Sequence, residues 1–423
     1  MGRRAKEMRL PVEDYPLNYE ESRVPPCTIP SPLRGPDGRR AATAEEFLAW
    51  RRPAILDFYA REFYGAVPPM PTAVRYELLA ERSVFDDTAV RREVRIVVTG
   101  PEGGEHSWIM LVYLPKDRPP MPVFCGLNFV GNHGTTGETD VIPTGLRHDG
   151  VDEKPAARGF QASRWPFAAA IRRGYAVATA CYHDIFPDFL KARRAWKQSI
   201  YATLFPKARP VDLHRRFSAI GAWAWALSRM LDALETDPRI DARRAAVIGH
   251  SRLGKTALWA GATDERFKLV VSNCSGHGGA ALIRRFLGET NALLYRRFPH
   301  WFVSGFRKYG SLDNRPFGDF DQNFLIALQA PRAVCVASAT EDLWADPKGE
   351  FLAAKYASDV YELFGSEGLR ASEFPAPDTP VYGDITYHCR TGEHDITLAD
   401  WEVYWNAADR LWGVPGEIAA KKR

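Results

Sequence analysis

Between residues 121 and 340 the chain places five short, nearly continuous apolar runs: MPVFCGLNFVGNHG, YAVATACYHD, AAVIGHS, KLVVSNCSG and PRAVCVASAT. Runs of this kind predict strands covered on both faces, because a strand exposed on one face alternates polar and apolar residues instead. Between and after them, apolar residues recur every three or four positions, chiefly in FSAIGAWAWALSRMLDALETD and GEFLAAKYASDVYELFG, which predicts amphipathic helices. Strands alternating with helices give an α/β protein with a mostly parallel central sheet and helices on both faces. Ahead of these units, RREVRIVVTG and SWIMLVYLP are two β-rich runs separated by the turn-forming PEGGE. Residues 1–75 are rich in proline and charge, with a helical patch, TAEEFLAWRRPAILDFYAREFYG, where Thr43 and Glu46 stand at capping-box spacing. The expected organisation is an N-terminal extension, 1–75, packed on a main domain, 76–423.

Composition narrows the class. Hydrophobic residues at 45% and charged residues at 26% are ordinary for a globular protein with a filled core. Basic residues number 56 and acidic residues 52, so the net charge of +4 makes no case for nucleic acid. The arginine pairs at 3–4, 39–40, 215–216, 243–244 and 284–285 are expected on solvated faces. Six cysteines show no CxxC, and Cys125, Cys181 and Cys335 sit inside apolar runs, where a thiol acts as a small buried hydrophobe. Neither a disulfide framework, a metal site nor a cofactor is expected. The N-terminal stretch MGRRAKEMRLPVEDYP has no apolar segment of secretory type, and no window approaches the ~18 apolar residues of a membrane span. As written, the chain is expected to be cytoplasmic, monomeric and free of membrane contact, or periplasmic or secreted if a leader has been removed.

The candidate chemistry lies in VIGHSRLGK, where a strand ends and a helix begins just after Ser251. A serine there is either an N-cap or a nucleophile on an elbow, and the strand before it with the helix after it favours the elbow. The usual G-x-S-x-G is altered, since Gly254 comes one place late. Backbone amides at the helix start could stabilise an oxyanion. A serine needs a base, and the base needs a carboxylate to fix its tautomer. In the α/β-hydrolase order both follow the serine on loops after later strands. Of His277, His300, His388 and His394, the last is best placed, on a glycine-containing loop before the final helix. His388 is expected on a short strand, and His250 is expected to point away from the site. For the acid, the loop after AVCVASAT offers Glu341, Asp342 and Asp346; Asp346 precedes Pro347 and reads as an N-cap. Glu341 and Asp342 remain, with Asp342 preferred by position.

Across residues 105–412 the chain resembles the glucuronoyl esterases of carbohydrate esterase family 15, particularly their bacterial branch. The resemblance rests on GLNFVGNHG, GYAVATACYHDIFPDF, SAIGAWAWALSRMLD, VIGHSRLGKTALWAGATDERF, SNCSGHGGAAL, FDQNFLIALQAPR, EDLWADPKGEFLAA and YHCRTGEHDIT, in that order. It implies an α/β-hydrolase fold and metal-free hydrolysis of esters between 4-O-methyl-glucuronic acid on xylan and lignin alcohols. Carried over residue by residue, it implies Ser251 as nucleophile, His394 as base and Arg252 as an oxyanion-stabilising group. Lys255 would bond sugar hydroxyls, and Glu289 in FLGETN and Trp344 in DLWADP would contact the uronate ring.

Two departures bear on that carry-over. Many members of the family hold the acid in an ESG loop after the strand following the serine; here the text is NCSG, with Cys274 in the place of Glu. A thiol cannot hold a histidine tautomer as a carboxylate does, and some bacterial members instead use an acid at the position of Asp342. His277 stands where relatives often carry a small residue, and would either narrow the site or pack. An acetyl-xylan or other carbohydrate esterase on the same fold, and a non-catalytic carbohydrate-binding protein, are the alternatives to a glucuronate esterase.

Overall fold

Among the described residues, nine strands form one sheet in the order β1-β2-β3-β5-β4-β6-β7-β8-β9. They are β1 Ala73–Val84, β2 Ala89–Thr99, β3 Glu105–Pro115, β4 Met121–Asn128, β5 Ala176–Cys181, β6 Ile240–His250, β7 Phe267–Asn273, β8 Ala333–Ala339 and β9 Ile385–Arg390. The chain is seen here in a computed structural model that describes residues 17–145, 156–188, 192–310 and 318–413. The Arg3–Arg4 pair and the stretch MGRRAKEMRLPVEDYP lie outside them.

β1, β2, β3 and β5 pair antiparallel, and from β5 through β4, β6, β7 and β8 to β9 every pairing is parallel. β4, β5, β7 and β8 are the apolar runs of the sequence, buried almost throughout. β1 and β9 were not expected as separate strands beyond the short strand at His388. β1 is one of the sheet's two edges, and its text AVRYELLAERSV mixes charges with helix-forming residues instead of alternating.

The helices that place the site are α1, helical turns through 44–64, α2 Phe167–Arg173, α3 Ala219–Leu234, α4 Arg252–Thr263, α5 Pro347–Leu363 and α6 Leu398–Trp412. Two large apolar clusters result among the described residues. One joins α1, α3, α4 and α5 to the sheet, while the other joins α2 and α6 to it. Mostly parallel strands between two helical layers are the α/β-hydrolase architecture. The start of α1 is a partial capping box: Thr43 Oγ1 accepts the Glu46 N–H at 3.2 Å, but the Glu46 carboxylate reaches the Ala42 N–H at 2.7 Å, one residue further back. Asp346 caps α5 by accepting the Gly349 N–H at 2.9 Å, with Pro347 in the first turn.

The arginine pairs do not all lie on solvated faces. Arg285 is buried, its Nε bonded to Asp346 Oδ2 at 2.8 Å and its Nη2 to Glu21 Oε2 at 2.5 Å. Without both carboxylates that position would be prohibitive for a guanidinium. All six cysteines are free, and all but Cys27 are buried. No helix among the described residues is long and apolar enough to cross a membrane.

Candidate active site

β6 ends at His250 and α4 begins at Arg252, which leaves Ser251 alone in the turn at φ 58° and ψ −126°. Non-glycine residues rarely hold such a conformation, and its strain is stored where the backbone must present a side chain. Gly249 makes the turn possible, since a β-carbon there would stand 1.8 Å from the Leu253 carbonyl oxygen. The late glycine has its own cause. A β-carbon on Gly254 would come within 3.0 Å of Ser275 Cβ and 3.1 Å of the Asn273 carbonyl oxygen, so Gly254 lets α4 close on the loop after β7. The Ser251 N–H donates to Asn273 O at 2.8 Å and ties the elbow to β7. The first amides of α4 have no partner within the helix and lie at its positive end.

Two loops from the same sheet edge bring up an acid and a histidine. Asp342 follows β8 and His394 follows β9, and His394 Nδ1 donates to Asp342 Oδ2 at 2.6 Å. The carboxylate is buried, with 1% of its side chain exposed, whereas the imidazole is 38% exposed. The other oxygen, Oδ1, accepts the Ala345 N–H at 3.3 Å. Nδ1 therefore carries the proton and Nε2 is free to accept one. Among the described residues no hydrogen bond joins His394 Nε2 to Ser251 Oγ, a contact that in hydrolases often tightens only with substrate. Glu341 is exposed, and among the described residues only its backbone takes part, its N–H donating to Gly392 O at 2.9 Å. His388 lies within β9, 3.3 Å from Asp400. His250 does not point away: its ring centroid is 4.5 Å from that of His394. Its Nδ1 is held by Asn273 Oδ1 at 2.5 Å, and burial together with the neighbouring His394 pushes its basicity far below the usual value.

Cys274 sits beside this pair. Its Sγ and the ligand atoms of Asp342 and His394 all lie within 4.8 Å of one another. Such a set has the composition of metal ligands, but His394 Nδ1 is already committed to Asp342. Burial and then the charges of Asp342, Glu350 and Asp400 push the thiol well above its ordinary value. The geometry is that of a carboxylate–imidazole pair with a neutral thiol against it.

Lys255, one turn beyond the serine, is buried and donates from Nζ to Glu289 Oε2 at 2.9 Å and to Ser275 O at 2.6 Å. Glu289 Oε1 accepts from Trp344 Nε1 at 3.2 Å. The three residues thus form one hydrogen-bonded chain. His277 is fully buried; burial, then Lys255 and Arg285, push it down to about 3, so it packs as a neutral ring. Arg252 lies with its guanidinium carbon 4.7 Å from the Trp301 ring centre, 5.6 Å from that of Phe298 and 5.7 Å from that of Phe129.

Two residues at the site had no signal in the sequence reading. Asp188 binds Arg252 Nη1 at 2.5 Å. Glu350, on α5, is buried and accepts the Ser275 N–H at 2.7 Å, the Gly276 N–H at 3.0 Å and the Ser275 and Ser338 hydroxyls at 3.1 and 2.6 Å. It fixes the loop that carries Cys274.

A serine on a strand-to-helix elbow, with acid and histidine following in chain order at later strand ends, defines the α/β-hydrolase class. Comparison with known proteins narrows this. A profile of fungal glucuronyl esterases matches residues 171–365. Carbohydrate esterase MZ0003, from an unknown prokaryotic organism, is 41% identical over 402 residues, covering 93% of this chain and 91% of its own. The 4-O-methyl-glucuronoyl methylesterase 1 of Wolfiporia cocos is 34% identical over 331 residues, 71% of this chain and 75% of its own. The solved glucuronoyl esterase of Solibacter usitatus is 40% identical and superposes with a TM-score of 0.85, covering 93% of this chain and 100% of that one. A promiscuous CE15 esterase from a marine bacterial metagenome, 41% identical, gives 0.84 over 93% and 99%. The chain belongs to carbohydrate esterase family 15, the glucuronoyl esterases, and is a carboxylic ester hydrolase.

Proposed function

We propose that the protein hydrolyses esters of 4-O-methyl-glucuronic acid on a carbohydrate chain, with Ser251, His394 and Asp342 as its triad. Ser251 Oγ attacks the ester carbonyl carbon and its proton passes to His394 Nε2; Asp342 holds the resulting imidazolium through Nδ1. The oxyanion forms beside the first amides of α4 and the Arg252 guanidinium, a fixed positive charge partly withdrawn from water. Collapse expels the alcohol, which takes the proton from His394. Water, deprotonated by the same imidazole, then releases the uronate and restores Ser251.

The observation that carries this reading is the 2.6 Å bond between His394 and Asp342 on the strand edge that presents Ser251. The Lys255–Glu289–Trp344 chain supplies a cation, an anion and an indole suited to sugar hydroxyls and a ring face. The names of relatives such as the Wolfiporia cocos methylesterase support the uronate as acyl group. The test is kinetic, comparing benzyl glucuronate with acetylated xylan. A kcat/KM at least tenfold higher on the uronate ester is expected, and preference for the acetyl ester would overturn the assignment.

A further inference from the structure

Arg252 leaves a question that the triad does not answer. A guanidinium on a flexible stem stabilises an oxyanion well only if its orientation is fixed before the charge develops. Here the orientation is fixed by a group far from it in sequence. Asp188, buried with 3% of its side chain exposed, uses both carboxylate oxygens fully. Oδ2 accepts from Arg252 Nη1 at 2.5 Å and from the Tyr182 hydroxyl at 3.1 Å. Oδ1 accepts from His300 Nε2 at 2.6 Å and from Trp301 Nε1 at 2.7 Å. Burial alone would raise this carboxyl, but the hydrogen bond from His300, the charge of Arg252 and the bond from Trp301 outweigh it and hold it ionised, below the usual range.

The same cluster holds the other faces of the guanidinium. Trp301 stacks on Phe298 with ring centroids 3.8 Å apart and planes 5° apart, and its ring also lies against Arg252. Among the described residues Arg252 Nε is shut away from solvent without a hydrogen-bond partner, so the part of the side chain open to a ligand lies elsewhere on the guanidinium.

We propose that Asp188 is the positioning residue of Arg252: from the segment after β5 it clamps one nitrogen of the guanidinium, with His300 and Trp301 bracing the carboxylate, so that the guanidinium is held in one orientation for the oxyanion of the ester. The inference rests on Arg252 acting at the oxyanion. His300 is thereby a brace that donates through Nε2, since an ionised carboxylate can only accept. An amide cannot replace Asp188, because either oxygen exchanged for NH2 would face two donors.

The experiment is a double-mutant cycle on a methyl glucuronate ester with Asp188→Asn, Arg252→Ala and both together, with thermal melting of each protein to verify folding. Arg252→Ala is expected to lower kcat by about 10²- to 10³-fold, the range of a lost oxyanion donor. Asp188→Asn should lower kcat about 10- to 100-fold with KM within about threefold, and the double variant should match Arg252→Ala within about threefold. If Asp188→Asn loses the same factor in both backgrounds, or keeps kcat within threefold of the parent, Asp188 does not act through Arg252 and the proposal falls. If Arg252→Ala itself stays within threefold, the oxyanion assignment of Arg252 is what has failed, and the proposal falls with it while the triad stands. Should Asp188→Asn not fold, Trp301→Phe, which removes one donor from Asp188 and keeps an aromatic face on Arg252, serves in its place. It is expected to lower kcat about 3- to 10-fold in the parent and not in Arg252→Ala; equal losses in both would overturn the proposal.

Discussion

Asp342 and Cys274 face His394 from two different loops, and single side chains decide which of them completes the triad. Asp342 is an acceptor already bonded to Nδ1, whereas the Cys274 thiol is kept neutral by its burial and by three nearby carboxylates. Asp342→Asn should therefore lower kcat by about three to four orders of magnitude, because an amide leaves the imidazole free to take the wrong tautomer. Glu341→Gln should stay within about threefold, since the Glu341 side chain points to solvent; a crippled Glu341→Gln beside a healthy Asp342→Asn would reverse the assignment. Cys274→Ala should change kcat less than tenfold, a neutral thiol having no charge to contribute. Cys274→Glu placed in the Asp342→Asn protein should recover at least tenfold, because it returns a carboxylate within reach of the ring. Ser251→Ala should cost at least about 10³-fold in turnover, with binding of free glucuronate measured by calorimetry unchanged.

At the scale of elements, α5 is tied to the site through Glu350. Burial pushes this carboxyl up to about 8, against the hydrogen bonds from Ser338 and the Ser275 and Gly276 amides, with Asp342 adding to the rise. Cys274, Cys389 and Tyr387 face the same carboxyl and are themselves pushed up by it. Between about pH 4.5 and 8 the folded protein thus holds a proton that the unfolded chain has lost, so this group's contribution to stability falls as pH rises through that window and levels off above it. Glu350→Gln mimics the protonated form, its amide donating to Ser338 Oγ, and should flatten the fall in melting temperature from pH 5 to pH 8; an unchanged slope would show that Glu350 is already ionised. The same element shows where the sequence was legible. Continuous apolar text marks β4, β5, β7 and β8, and chain order puts Ser251, Asp342 and His394 at strand ends. β1 carries no such signature, because an edge strand keeps its exposed positions charged. Asp188 and Glu350 were illegible for a different reason. Each is defined by partners far along the chain, Asp188 by Arg252 and Trp301 at separations of 64 and 113 residues and Glu350 by Ser275 at 75. An aspartate after a proline in FPDF otherwise reads as a turn.

For the molecule as a whole, the segment ahead of the sheet decides whether the chain folds as one unit. Phe63 and Tyr64 of α1 are fully buried in the cluster that also contains α3, α4 and α5. Phe63 packs edge-on to Tyr59, Phe306 and Phe320 with centroids 5.0–5.5 Å away, and its carbonyl accepts the Val303 N–H at 2.8 Å. Tyr64 donates from its hydroxyl to Gly278 O at 2.9 Å, in the loop that runs on from Cys274. Nearer the N-terminus, Asn18 O accepts the Gly288 N–H at 2.7 Å, and Glu21 joins Arg285 to Lys348 at the start of α5. Contacts of this kind knit residues 17–64 to the loops that hold Glu289 and Trp344, and we propose that extension and main domain unfold together. Phe63→Ala is then expected to cost about 3–5 kcal/mol, the range for emptying a buried aromatic site. In guanidinium titrations, loss of esterase activity and the change in tryptophan fluorescence should share one midpoint, shifted equally by the substitution. Were the extension a separate unit, Phe63→Ala would move an early fluorescence step alone and leave the midpoint of activity where it was.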